Sequence, residues 1–147
     1  MARPMRASFT VFAVTLLLLT GAAAQTMPTQ TRPAAEDEIQ GVWKLAKILY
    51  ASGTVEPQGG FVFLGGYYSA TVNYAQEGTQ TNISQFGTYA LEGHRLAIVP
   101  QVHISTRGDT IVYQPEPPFT LEVTRVGDEM RGVSAKDGTT FVFKRLR

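Results

Sequence analysis

Two histidines have the broadest chemical repertoire in this chain, since imidazole can bind metals and transfer protons near neutral pH. His94 follows Gly93 in a predicted turn, whereas His103 lies in an alternating stretch further along. Two histidines so far apart cannot form a zinc site without help from carboxylates. The chain contains no cysteine, which excludes disulfides, thiolate metal sites, cysteine nucleophiles and a lipidated N-terminal cysteine. We therefore predict no metal and no cofactor.

The orientation of His103 depends on the strand that carries it. In a regular strand His103 shares a face with Gln101 and Ser105. Directed inward, the three would form a polar spot in an apolar interior. We expect these three side chains to point outward, because Val102 and nearby apolar residues on the opposite face of the strand are expected to fill the core. Pro100 cannot donate to a β-ladder, so the strand is expected to bulge or run along an edge there.

Lys47 is a second candidate for an interior polar group. Its parity matches that of Trp43 and Leu45, which directs it toward the core. A buried, unpaired lysine is costly, so it would need a carboxylate or the anionic headgroup of a ligand. A register shift after Leu45 would instead send Lys47 to water, and both readings stay open.

Known catalytic motifs are missing from the sequence: it has no serine nucleophile elbow, phosphate loop, EF-hand or dinucleotide fingerprint. Neighbouring carboxylates occur at residues 36–38 and at Asp128 and Glu129, in a leader or in turns, where exposure to water gives no basis for acid–base catalysis. The net charge is +1, and two of the thirteen basic residues, Arg3 and Arg6, precede the predicted mature chain. No cluster of basic residues is left to bind phosphates, so we expect no nucleic-acid partner.

From Ile39 onward the hydrophobic period is two, which is typical of half-buried β-strands. The segment 119–126 alternates apolar and polar residues, and 139–145 is rich in β-forming residues. Turn signals such as Asp137-Gly138 recur at intervals of roughly 8–12 residues. This pattern predicts an all-β antiparallel meander that closes as a sandwich or a barrel. Residues 60–74 carry apolar or aromatic side chains on both faces, which favours a barrel with an aromatic-lined interior, although parity does not settle which of them face inward. We therefore expect a single antiparallel up-and-down β-barrel of about 8–10 strands.

The N-terminal segment has the order of a secretory signal peptide. A positively charged start is followed by the apolar run Val11–Leu19, and the small residues Ala22 and Ala24 directly precede Gln25. The apolar run is shorter than the roughly 20 residues that span a bilayer. We therefore expect a periplasmic or secreted protein, with no stable membrane insertion after cleavage. The predicted parts are a signal peptide over 1–24, a flexible leader over 25–38 and the barrel domain over 39–147.

The motif Gly41-Val-Trp43-Lys-Leu45 resembles the first-strand signature of lipocalins. More narrowly, the chain resembles the bacterial lipocalin-like domain family, whose further elements occur here in order as Glu56–Gly60, Phe61–Leu64, Gly66–Ser69, Gly87–Tyr89 and Phe143–Arg145. The resemblance implies a barrel with an internal site for an apolar small molecule. It also implies that Gly41 turns the chain into the strand, that Trp43 closes the barrel floor and that Arg145 lies across the indole ring.

Two features depart from the family pattern. Only Ala75–Gln85 separates the early strands from the Gly-x-Tyr strand, where family members often carry a long insertion. The family also tends to have a histidine early in the next strand, where this chain has Gln101 and then His103.

We expect the protein to bind a small hydrophobic or amphipathic molecule inside the barrel. The residues expected to form the apolar lining are Phe61, Phe63, Tyr67, Tyr89 and Phe119. The residues expected to act as polar anchors are Lys47, His103 and Tyr113. Two alternatives stay open: a cofactor-free isomerase or cyclase that uses a tyrosine, histidine or lysine in the barrel, and a periplasmic inhibitor-like module that binds another protein.

The signal peptide can be tested directly. We expect the exported protein to begin at Gln25, in free or cyclised form, because the small residues before it match the cleavage-site pattern. N-terminal sequencing or intact mass measurement would check this, and a mature protein that retains Leu16–Leu19 would contradict it.

Overall fold

The computed structural model describes residues 32–33, 36–114 and 116–147, and the predicted signal peptide lies outside the described residues. One short helix, α1, covers Glu36–Ile39 in this part of the chain. The strands are β1 (Arg32–Pro33), β2 (Gly41–Tyr50), β3 (Gly53–Val55), β4 (Gln58–Leu64), β5 (Tyr67–Gln76), β6 (Thr79–Glu92), β7 (Arg95–Arg107), β8 (Thr110–Tyr113), β9 (Phe119–Val126), β10 (Glu129–Ser134) and β11 (Thr140–Arg145).

Eight of these strands close into a barrel in the order β2-β4-β5-β6-β7-β9-β10-β11, with β11 paired back onto β2. Every pairing is antiparallel, and the barrel neighbours follow one another in chain order. The predicted antiparallel up-and-down barrel is therefore confirmed. The short strands add pairs outside this ring: β1 pairs with β9, β3 with β2 and β8 with β7.

Alternation along each strand explains how the core forms. In β5, Tyr68, Ala70 and Val72 are buried, whereas Tyr67 and Ser69 between them are exposed. Successive side chains of a strand point to opposite faces, so one set fills the barrel and the other meets solvent. The largest fully buried side chains are Trp43, Tyr68, Phe63, Phe143, Ile39 and Leu45.

Two β-bulges interrupt this alternation. In β2, Leu45 faces Phe143 and Lys47 faces Val142, which leaves Ala46 as an extra residue. In β7, a similar shift next to Pro100 leaves Gln101 as the extra residue. A bulge reverses the inside-outside order of the residues that follow it. The irregularity expected at Pro100 therefore occurs, as a bulge directly after it.

The floor of the barrel is built around Trp43, which is fully buried. Its indole Nε1 donates a hydrogen bond to the Ile39 carbonyl oxygen at 2.7 Å. The guanidinium carbons of Arg145 and Arg125 lie 5.4 Å and 5.9 Å from the ring centroid, within cation–π range. Arg145 faces Trp43 in the β2–β11 register, so barrel closure itself brings the two residues together.

The same two arginines anchor the end of α1. Arg145 Nη2 donates to the Gln40 carbonyl at 2.7 Å, and the Nη1 atoms of Arg145 and Arg125 donate to the Glu38 carbonyl at 3.4 Å and 3.2 Å. The last carbonyls of a helix have no partner within the helix, so these contacts satisfy them. The short segment before β2 is thereby fixed across one end of the barrel. No helix in the described residues has the length and apolar character needed to cross a membrane.

Gly41 is required where this segment enters β2. Its φ is +123°, a conformation that other residues rarely adopt. A Cβ atom at this position would lie 3.3 Å from Arg145 Nη2. The glycine therefore permits both the turn into the strand and the close approach of the arginine.

A double-mutant cycle tests the contact at the floor. We expect Trp43→Ala to lower the free energy of unfolding by about 3–5 kcal/mol, because burial is lost and a cavity is left behind. Arg145→Ala should cost less than Trp43→Ala but more than Lys144→Ala, since Lys144 is exposed. The double variant should lose less than the sum of the two singles, because residues in contact are not additive. Denaturant unfolding measures all four values, and strict additivity would contradict the contact.

Candidate functional site

The barrel interior holds a cavity of about 230 Å³. Its wall is mainly aliphatic and aromatic, and its polar members are the hydroxyls of Tyr50 and Tyr74, the Gln85 amide and the Glu116 carboxylate. A mainly apolar wall with a few polar groups is typical of pockets that bind small molecules.

Aromatic rings form the deep side of this cavity. Phe61 stacks on Phe63 with centroids 5.8 Å apart, and it meets the edge of Phe143 at 5.3 Å. Tyr89 packs edge-to-face against Phe63 at 5.2 Å. Such pairs contribute roughly 0.5–1.5 kcal/mol each beyond their burial. The cavity floor is therefore held in one arrangement by mutual ring contacts.

Gln85 and Glu116, which line the cavity, form a polar cluster with Tyr68 and His103. The Gln85 Nε2 atom is 2.7 Å from Glu116 Oε2 and 2.8 Å from His103 Nδ1. The Tyr68 hydroxyl donates to Gln85 Oε1 at 3.3 Å. Tyr68, Gln85 and His103 are buried, so these hydrogen bonds satisfy polar groups that would be costly to bury alone.

The network assigns the protons of the cluster. A carboxylate can only accept, so the Gln85 amide must turn its NH₂ group toward Glu116. The second hydrogen of that group points to His103, whose Nδ1 then accepts. The Gln85 oxygen is left to accept from Tyr68. Gln85 thus uses both donors and an acceptor within the cluster.

Backbone features of β6 and β7 place this cluster. The bulge at Gln101 turns His103 inward, opposite Gln85 in the register. A Cβ atom on Gly87 would lie 2.1 Å from the Val99 carbonyl oxygen and 2.9 Å from the Tyr68 ring. Only glycine allows β7 and the tyrosine ring to approach so closely, and this packing brings the Tyr68 hydroxyl to Gln85.

Glu116 reaches the cluster from the loop between β8 and β9. In the sequence it stands between Pro115 and Pro117, followed by Pro118. Proline fixes its own φ and restricts the preceding residue to extended conformations. The carboxylate is therefore presented by a chain segment with few conformations. Its side chain is 43% exposed, so it meets both the cavity and solvent.

Two tyrosines of the site hold their protons more firmly than a free tyrosine. Burial raises the pKa of Tyr68 to about 12, and the charge of Glu116 adds to the shift. Burial also raises the pKa of Tyr50 to about 12, together with its interactions with Tyr74 and Asp137. Both hydroxyls are therefore neutral donors or acceptors over the physiological range.

A second pocket of about 260 Å³ adjoins the cavity. The two share Tyr74, Ile83 and Glu116, and the second pocket is lined in addition by His103 and Arg107. It is more polar than the inner cavity. We call it the outer pocket.

The structure brings together part of the predicted site. Phe61, Phe63 and Phe119 line the cavity. Tyr89 is buried directly behind Phe63. His103 lies inward, against the direction that we favoured from the sequence, because the bulge at Gln101 reverses the parity of the strand.

Three predicted residues lie elsewhere. Lys47 points to solvent and pairs with Glu56 at 3.8 Å, because the bulge at Ala46 shifts its parity. Tyr67 is 56% exposed and stacks on Phe86 outside the barrel. Tyr113 is 72% exposed on β8, which pairs with β7 outside the closed ring.

Three residues of the site were not predicted from the sequence: Tyr68, Gln85 and Glu116. The run of aromatic residues from Phe61 to Tyr74 left the parity of Tyr68 undecided. Gln85 has no neighbours in the sequence that mark a site, and Glu116 belongs to a proline-rich loop without periodicity. The prolines on both sides of Glu116 are the one signal of a constrained carboxylate.

No group of three or more potential metal-binding side chains comes together among the described residues. His94 lies at the surface, with Nε2 2.8 Å from Glu122 Oε2. Comparison with protein-family models finds no matching family, and a search of curated proteins finds no match.

Alkaline unfolding tests the environment of the two buried tyrosines. A pKa raised from 10 to about 12 in the folded state means that the folded protein holds these protons more tightly than the unfolded chain. The free energy of unfolding should therefore fall as the pH rises from 10 to 12. Urea unfolding at several pH values would measure the fall, which should be smaller in Tyr68→Phe and smallest in Tyr50→Phe/Tyr68→Phe. A parallel fall in the wild type and the double variant would contradict the assignment.

Proposed function

We propose that this protein is an exported, lipocalin-like protein that reversibly binds a small hydrophobic or amphipathic molecule inside its barrel. The observation that carries the proposal is the cavity of about 230 Å³ inside the barrel, whose wall is apolar except for a few polar groups. The motif order from Gly41 to Arg145 and the closed eight-stranded barrel support the relationship to lipocalin-like proteins.

The volume of the cavity limits the size of the ligand. Pockets for drug-sized molecules measure roughly 300–1,000 Å³, and this cavity is smaller. A molecule with one ring or a short aliphatic chain fits that space. The rings of Phe61, Phe119 and Phe143 offer it apolar contact.

The arrangement of polar groups favours an amphipathic ligand. Glu116 lies where the cavity adjoins the outer pocket and is hydrogen-bonded to Gln85, whereas Phe63 and Phe143 are fully buried in the core. A ligand with an apolar body and a polar end would place the body against the rings and the polar end near Glu116. Export is supported by the sequence of residues 1–24, which precede the described residues.

One observation favours a second candidate, a cofactor-free isomerase. The Glu116 carboxylate lines the cavity and could accept a proton from a bound substrate, with Gln85 holding it in place through a hydrogen bond. Lys47 has no part in this hypothesis, since it lies outside the barrel. Loss of turnover in Glu116→Gln with retained ligand binding would distinguish this candidate from simple binding.

Cavity binding can be tested with a neutral probe. We expect propylbenzene to shift the backbone amide resonances of cavity strands in heteronuclear NMR spectra. Val72→Phe, which adds a ring at a cavity-lining position, should weaken this binding by about tenfold or more, because the ring occupies the ligand's space.

Val99→Phe is the matched control. Val99 lies on the outer face of β7 and is 41% exposed, so the same change there should leave binding intact. Thermal unfolding of both variants would verify that each is folded. Equal binding by Val72→Phe and the wild type, or no binding to the wild type, would refute the proposal.

A further inference from the structure

The charge inside the cavity restricts the class of ligand. Glu116 is the only charged residue among the described residues that line it. The remaining polar groups of that lining are the two tyrosine hydroxyls and the Gln85 amide. The cavity wall therefore carries a negative charge.

One oxygen of this carboxylate is available. Glu116 Oε2 accepts from Gln85 at 2.7 Å and lies 3.7 Å from His103 Nδ1. No described residue donates a hydrogen bond to Oε1. A carboxylate has about four acceptor positions over its two oxygens, so most of its capacity is unused.

Among the described residues, no lysine or arginine forms an ion pair with Glu116. The Nδ1 atom of His103 accepts from Gln85 and does not donate to the carboxylate. Arg107 lines the outer pocket, but within the described part of the chain it forms no ion pair with Glu116 inside 4.0 Å. Lys47, the lysine predicted to face inward, pairs with Glu56 on the outside.

The cluster also offers few donors to a ligand. Both hydrogens of the Gln85 NH₂ group are used, by Glu116 and by His103, and the Tyr68 hydroxyl donates to Gln85. An anionic headgroup would meet a like charge at Glu116. A cationic headgroup would find a half-buried carboxylate, where reduced exposure to water strengthens a charge-assisted hydrogen bond.

We propose that the cavity selects an amphipathic amine: a primary or secondary ammonium group on a body of one ring or a short chain. The ammonium group donates to Glu116 Oε1 at the side of the outer pocket, and the body packs against Phe119, Phe141 and Phe143. This inference rests on the proposed function and adds the chemical class of the ligand. Free fatty acids and other carboxylates are disfavoured.

Three probes with the same body and different polar ends test the inference: phenylpropylamine, phenylpropanol and phenylpropionate. Titration calorimetry on the mature protein at neutral pH should show the amine binding about tenfold or more tightly than the carboxylate, with the alcohol between them. This comparison needs no variant, so it does not depend on how a substitution affects folding.

Variants assign the preference to Glu116. Glu116→Gln should bring the affinities for phenylpropylamine and phenylpropionate close together and leave the affinity for phenylpropanol largely unchanged. Glu116→Asp keeps the charge and should keep the order of affinities. Glu56→Gln removes the same charge from the exposed surface, so it should preserve the full preference and serves as the control.

The outcomes separate the two proposals. If phenylpropanol binds but phenylpropionate binds as tightly as phenylpropylamine, the inference about the amine is wrong and ligand binding in the cavity stands. If Glu116→Gln and Glu56→Gln reduce the preference equally, the general charge of the protein causes it, and the inference is again wrong. If none of the three probes binds, the proposed function itself fails.

Discussion

The pairing of the last strand with the first is the constraint on which the rest of this structure depends. Residues of β11 hydrogen-bond to β2 and thereby remove the two free edges that an open sheet would expose. Closure encloses an interior, and it also sets the register that places Arg145 opposite Trp43. The contact between them then links barrel closure to the anchoring of α1 at the floor. These contacts close one end of the barrel.

The interior combines a rigid apolar region with a small polar network. Ring contacts among Phe61, Phe63 and Phe143 hold the apolar region. The hydrogen bonds of Gln85 hold the polar one, and they satisfy each buried group from a different strand or loop. A network of this kind is stable only when its members are satisfied, since an unpaired polar group is costly in a low-dielectric interior. The spare acceptor capacity of Glu116 is tolerated because its side chain keeps partial contact with water.

Short irregularities decide which residues meet the cavity. The bulge at Ala46 sends Lys47 to solvent, and the bulge at Gln101 turns His103 inward. Each bulge adds a single residue, yet it moves every side chain that follows in its strand to the opposite face of the sheet. The predicted lining residues Phe61, Phe63 and Phe119 lie in strands whose alternation is unbroken near the site, and they face the cavity.

The sequence by itself determined the all-β class, the up-and-down order and the alternation of most strands. These properties depend on the residue types of consecutive positions, because side chains of a strand alternate between two faces. Only the tertiary structure decided that Lys47 points to solvent and that His103 points into the barrel. It alone also brought Tyr68, Gln85 and Glu116 into one cluster. A bulge depends on the register with a partner strand, and Glu116 reaches Gln85 across 31 positions of the chain. Such contacts arise from how distant strands and loops pack, and no local pattern of residues encodes them.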